Sequence, residues 1–258
     1  MIDTVDDLAD PRLDDYRDLR SGRPKGSGPV IVESLLGVEA LLRSSFVIRS
    51  ILVSPQKLPR LPPVPDDVLV LVGDLPLQRQ TVGYELHRGV VASAERPPPL
   101  DAATLVAGAR RVVVAERIND LENLGSLFRN ARAFDADAVL LDPETADPLG
   151  RRPVRVSMGH VLHVPFARLD PWPDRLEVVR RAGLTLVALA THGGATLEDL
   201  PPRVALLVGA EGPGLTDRAL AEADLCVRIP MAPAVDSLNV ATAAAIALSA
   251  HFSTTPRR

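Results

Sequence analysis

From Arg111 onward the sequence alternates short β-branched runs with amphipathic segments. That alternation constrains the fold more than any other feature. RVVVA at Arg111–Ala115 reads as a strand buried on both faces, because apolar residues follow one another without polar alternation. Leu124–Phe134 then sets Leu124, Leu127, Phe128, Ala131 and Phe134 along one helical face. AVLL at Ala138–Leu141 is the next strand. A strand, helix and strand in this order make a parallel βαβ unit. The same reading predicts strands at His160–Phe166, Leu184–Ala190, Val204–Val208 and Cys226–Ile229. Helices are predicted at Asp174–Ala182 and Leu215–Glu222, with a last one from Leu238 to about Phe252. The fold class is therefore α/β, with a C-terminal parallel sheet covered on both faces.

The chain is long enough for a second, smaller domain. Residues 1–28 are polar and hold a Gly/Pro/Ser stretch at Ser21–Pro29, so they are expected to be flexible or loosely docked. Val30–Arg43 (VIVESLLGVEALLR) reads as an amphipathic helix, followed by short strands at Ser50–Val53, Val68–Val72 and Val90–Ala92. Pro97-Pro98-Pro99 fits neither a helix interior nor a central strand. The expected organisation is a small α/β unit over 29–96, a linker over 97–108 and the main domain over 109–258.

Composition narrows the function classes. One Cys in 258 residues rules out a disulfide scaffold and a Cys-based zinc cluster. The His residues show no metal-ligand spacing, so no metal is expected. A formal charge of −4 and eight aromatics argue against a broad basic or base-stacking RNA surface. Yet all basic residues except Lys25 and Lys57 are Arg, and twelve Arg fall between Arg110 and Arg181. A local cluster of Arg can still grip phosphate. The start carries no signal-peptide core, and the most apolar stretch, Val240–Phe252, is too short to span a bilayer. The expected location is the cytoplasm, with no membrane partner.

Ligands of open α/β sheets sit beyond the carboxyl ends of the strands, so the strand-to-helix loops matter most. Three stand out. ERINDLENLGSLFR (Glu116–Arg129) combines a polar loop with Gly125 in the first turn of a helix and Arg129 on its polar face. LVGAEGPGL (Leu207–Leu215) runs from a buried strand into three glycines and one carboxylate, Glu211; it is neither GxGxxG nor a P-loop. IPMAPAVDSLNV (Ile229–Val240) gathers Asp236, Ser237 and Asn239 before an Ala-rich helix. Taken singly, each is also explained as a helix cap or a tight turn.

Together, in this order, the three stretches resemble the signature motifs of the SpoU (TrmH) branch of the SPOUT RNA methyltransferases. Asn123-Leu124-Gly125-Ser126-Leu127-Phe128-Arg129 is similar to the first motif, Val208–Leu215 to the second and Ile229–Val240 to the third. Gly83–Val90 (GYELHRGV) in the small unit resembles the accessory, ribosomal-protein-like RNA-binding domain that precedes many such enzymes. Asn130, Asp120-Leu121-Glu122 and Pro233-Ala234 depart from the usual pattern.

The resemblance implies a SPOUT domain with a C-terminal trefoil knot. The implied activity is methyl transfer from S-adenosylmethionine to a ribose 2′-hydroxyl of RNA, ribosomal RNA being favoured over transfer RNA, by a homodimer. It implies Asn123, Arg129, Glu211, Ser237 and Asn239 as catalytic residues. Arg129 would act electrostatically, since a guanidinium is a poor base. Thr191, Gly209, Gly212, Gly214, Ile229, Met231 and Leu238 would hold the cofactor, with His192 at the border of that site.

Two other classes compete. A dinucleotide-dependent oxidoreductase needs GxGxxG after an early strand, and Val112–Ala115 is followed by no such loop. A non-catalytic RNA binder on the same fold should have lost Asn123, Arg129, Glu211 or Asn239, and all are present. Cys226 reads as a buried inert thiol. Arg151, Arg152 and Arg155 read either as phosphate contacts or as solvated charge.

Overall fold

The computed structural model describes residues 1–20, 24–86, 88–191 and 194–255. In chain order the strands and helices are β1 (Ile2–Thr4), β2 (Val30–Glu33), α1 (Leu35–Leu42), β3 (Ile48–Val53), β4 (Leu69–Val72), α2 (Leu75–Val82) and β5 (Val90–Ala94). There follow α3 (Ala102–Val106), β6 (Arg111–Glu116), α4 (Leu121–Ala133), β7 (Ala138–Leu141), α5 (Arg151–Val156), β8 (Phe166–Arg168) and α6 (Glu177–Arg181). The chain ends with β9 (Thr185–Leu189), β10 (Val204–Gly209), α7 (Asp217–Ala221), β11 (Leu225–Val227) and α8 (Val240–Thr254). These make two compact units, one of Met1–Pro98 with Asp147–His163, the other of Pro99–Ala146 with Val164–Arg258.

The first unit is a five-stranded mixed sheet in the order β1-β4-β3-β5-β2. Residues 1–20 are not a loose tail. β1 pairs in parallel with β4, and a 3-10 turn over Pro11–Tyr16 buries Leu13 and Tyr16 in the core beside Leu52 and Leu71. The Tyr16 hydroxyl shares a 2.7 Å hydrogen bond with Ser50 Oγ. The Asp-rich sequence hid this anchoring, because the four side chains that carry it, Val5, Leu13, Tyr16 and Leu19, are spread among acidic residues.

The helix predicted over Val30–Arg43 begins later. Val30–Glu33 is β2, paired with β5, since β-branched residues suit a pleated strand. The Ser34 side chain then accepts from Gly37 N–H and caps α1. The segment 147–163, assigned from sequence to the main domain, belongs to this unit. α5 packs on β2, and His163 Nε2 meets the Ala40 carbonyl at 2.9 Å. His160–His163 is a 3-10 turn rather than the start of a strand; only Phe166–Arg168 pairs with β7. Arg151 and Arg155 both approach the buried Glu33 carboxylate, at 3.4 and 3.6 Å, and Arg151 also stacks on the Tyr84 ring. They are therefore neither simply solvated nor free.

The second unit is a fully parallel six-stranded sheet in the order β11-β9-β10-β6-β7-β8. Val112, Val114, Leu140, Leu186, Ala205 and Leu207 share one core with residues of α3, α6 and α7. α4 packs against α8 over the sheet, burying Leu124, Leu127 and Phe128 on one helix and Ala244, Ala247 and Leu248 on the other. Asn130 Nδ2 donates to the Ala241 carbonyl at 2.8 Å and fixes the two helices together. Cys226 is half-buried against the core rather than fully enclosed. From β6 the chain runs outward to β7 and β8, whereas β9 and β11 lie beyond β10 on the other side. The strand order thus reverses between β6 and β10, and a crevice at such a switch point is the usual ligand site of an open α/β sheet.

Candidate active site at the carboxyl end of the parallel sheet

β6 and β10 end side by side, with Glu116 paired to Gly209. The loop after β10 doubles back on itself, and Ala210 bridges Gly214. A β-carbon at Gly209 would stand 2.4 Å from the Gly214 carbonyl carbon, so no larger residue fits that turn. Gly212 and Gly214 adopt φ of +84° and +68°, which glycine reaches without strain. β-Carbons there would meet nothing within 4 Å, leaving the backbone uncovered. Glu116, buried at the end of β6, anchors this loop. It accepts from the Thr216 backbone N–H (2.8 Å), the Thr216 hydroxyl (2.7 Å) and the Trp172 indole (2.7 Å). Thr216 in turn caps α7. Glu116 was not singled out from the sequence, although a carboxylate closing a run of buried valines was the available sign.

Two cavities flank the glycine loop. The larger, about 660 Å³, lies between this loop, the end of β9 and the segment that leads into α8. All seven residues expected to hold a cofactor line it: Thr191, Gly209, Gly212, Gly214, Ile229, Met231 and Leu238. His192 lies outside the described residues. The smaller cavity, about 350 Å³, is walled by the loop after β6 and shares Ala210, Glu211, Pro213 and Val240 with the larger one.

The three motif stretches meet between these cavities. Asn239 Nδ2 donates to Asn123 Oδ1 at 2.7 Å and to Glu211 Oε1 at 2.5 Å. Its Oδ1 accepts from Thr242 N–H, so the same residue caps α8. Capping and site formation are thus one arrangement. Asp120 caps α4 by accepting from Asn123 N–H, which fixes where the Asn123 side chain starts. Ser237 and Asp236 line the larger cavity and are exposed.

Arg129 is not brought into this cluster. It sits two turns into α4, exposed, lining neither cavity and without a hydrogen bond or ion pair among the described residues. The described residues contain no cluster of His, Cys, Asp and Glu able to hold a metal. They also contain no helix long and apolar enough to cross a membrane.

Residues 110–249, more than half of the chain, match the sequence profile of the SpoU rRNA Methylase family. The chain belongs to that family. An uncharacterized tRNA/rRNA methyltransferase of Mycobacterium tuberculosis is 46% identical over 95% of this chain and 90% of its own length. The Bacillus subtilis 23S rRNA (guanosine(2553)-2′-O)-methyltransferase is 26% identical over 94% of this chain and 96% of its own. Among solved structures, the AdoMet-bound rRNA methyltransferase from Sinorhizobium meliloti superposes with a TM-score of 0.78 at 26% identity, covering 98% of both chains. The SpoU profile spans all three loops that build the two cavities.

Proposed function

We propose that the protein transfers a methyl group from S-adenosylmethionine to a ribose 2′-hydroxyl of RNA, with ribosomal RNA preferred over transfer RNA. One observation carries the reading: the Asn239 amide is bonded at once to Asn123 and Glu211 between two cavities. The 2′-O activity named for the Bacillus subtilis relative and the AdoMet named for the Sinorhizobium meliloti structure support it.

The larger cavity suits S-adenosylmethionine. It offers apolar walls from Leu189, Val227, Ile229 and Leu238 beside the uncovered backbone of Gly212 and Gly214. Its volume lies within the range of small-molecule sites. S-adenosylmethionine supplies a methyl group already activated on a positively charged sulfur, so the protein's work is alignment and removal of the hydroxyl proton. Glu211 and Asn123 border the smaller cavity, where the acceptor ribose would lie. Asn239 holds both side chains in place, and one Glu211 oxygen faces no described donor and can accept from the hydroxyl. Ser237 lines the cofactor side of the same junction.

Arg129 contacts RNA phosphate and acts by charge rather than as a base. Its place on the exposed face of α4 supports a homodimer, in which a side chain unused by its own cavities can reach a neighbouring site. The reaction belongs to the cytoplasm, where ribosomal RNA is modified.

Arg129→Ala tests this directly. It is expected to cut methyl transfer at least a hundredfold, while calorimetry gives an S-adenosylmethionine Kd within about threefold of wild type. Simultaneous loss of both would make Arg129 structural. Mass spectrometry of RNA from a deletion strain should show one missing 2′-O-methyl group, which also names the nucleotide.

A further inference from the structure

Arg117 follows β6 directly and has φ of +55°, a left-handed conformation that a long side chain adopts only under constraint. The other non-glycine residues with positive φ among those described are Asp18, Ser34, Asp135 and Met158. None of them lines either cavity, whereas Arg117 is part of the smaller one.

The constraint is visible. Arg117 N–H donates to Asp142 Oδ1 at 3.1 Å, and Ile118 N–H to Thr145 Oγ1 at 3.0 Å. Asp142 Oδ1 also takes Thr145 N–H at 2.7 Å, and Ala146 N–H returns to the Ile118 carbonyl. Asp142 and Thr145 are themselves buried, so the turn is held from beneath. Backbone strain that is held this firmly concentrates at functional sites.

The side chain is only partly used. One Nη2 reaches the Gly214 carbonyl of the glycine loop at 3.4 Å, and the buried Nε has no hydrogen-bond partner among the described residues. Nη1 carries no hydrogen bond among the described residues and is the donor left for a ligand.

We infer that Arg117 is a positioning residue for the RNA acceptor. It is held in a strained turn so that its guanidinium, tied to the glycine loop only by the long 3.4 Å contact of Nη2, offers Nη1 to the nucleotide in the smaller cavity. A phosphate or carbonyl oxygen seated beside Asn119 and Asn123 would accept from Nη1. The inference rests on the methyltransferase reading above and extends it to a residue outside the three motifs.

The test uses Arg117→Gly, with Arg117→Asn as a second variant that also tolerates left-handed backbone. Both should raise Tm, Gly by about 2–4 °C, because the strain is released. Both should leave the S-adenosylmethionine Kd within about threefold. Transfer of labelled methyl to undermodified ribosomal RNA from a deletion strain should fall about ten- to a hundredfold in kcat/KM. A fall in Tm together with kcat/KM, or lost cofactor binding, would make Arg117 a structural or cofactor-site residue and overturn the inference. Unchanged kcat/KM would overturn it as well. Wild-type protein that binds no S-adenosylmethionine overturns the methyltransferase reading and this inference together.

Discussion

Two arginines mark the two ends of β6, and they are used in opposite ways. Arg111, at the start, is 2% exposed and spends its guanidinium on the protein itself. Its Nε donates to His251 Nδ1 at 2.8 Å, Nη1 to the Phe134 carbonyl at 2.7 Å, and Nη2 to Thr255 Oγ1 at 3.2 Å. It also lies 5.2 Å from the centre of the Phe252 ring. These bonds close off the C-termini of α4 and α8. Arg117, just past the other end, sits in left-handed backbone with one donor unsatisfied. One end of the strand is a lock and the other borders the smaller cavity. Satisfied polar groups give stability, whereas groups held ready for a ligand cost some of it.

The comparison can be broken from its stable end first. Arg111→Ala removes a buried cation and leaves carbonyls of two helix ends without donors. It should cost about 3 kcal/mol or more by urea denaturation of the second unit's sheet. A loss under 1 kcal/mol would mean that water replaces the guanidinium and that the lock is not a lock.

A smaller effect should follow from pH. Burial, and after it the neighbouring Arg111 charge, hold the His251 imidazole below its ordinary value. Arg111 Nε–H occupies Nδ1, and Nε2 faces the Pro201 carbonyl at 3.0 Å, so the neutral ring fits both partners. The unfolded chain takes up this proton near pH 6.5, before the native protein does. The His251 contribution is therefore complete above about pH 6.5 and declines as pH falls from there towards the depressed native value. Thermal unfolding across pH 5–8 should show this decline in wild type and not in His251→Gln. An equal decline in both would assign it to other groups.

Much of this division was legible in the sequence, and the exceptions have physical causes. β6, β7 and β10 announced themselves because strands buried on both faces need unbroken apolar runs. The glycine loop did so because its turn admits no side chain at Gly209. Asn123, Glu211 and Asn239 could be named from their motifs, but only the fold shows one amide joining them. Val30–Glu33 misled, since four apolar-rich residues before a helix fit either period until Ser34 breaks the chain direction. Segment 147–163 misled for a different reason: its partners β2 and α1 lie more than a hundred residues earlier. Arg117, Asp142 and Thr145 act through contacts that no local pattern encodes, whereas Glu116 was marked only by its place at the end of a run of buried valines.

Titration calorimetry of S-adenosylmethionine against wild type and Gly209→Ala tests the central claim most directly, that the glycine loop shapes the cofactor cavity. The added β-carbon must displace the Gly214–Leu215 backbone, which it would approach within 2.4 Å. Wild type is expected to bind one equivalent per chain with a negative heat-capacity change, and the variant, still folded by circular dichroism, to bind at least tenfold more weakly. Undiminished binding by Gly209→Ala, or none by wild type, would contradict it.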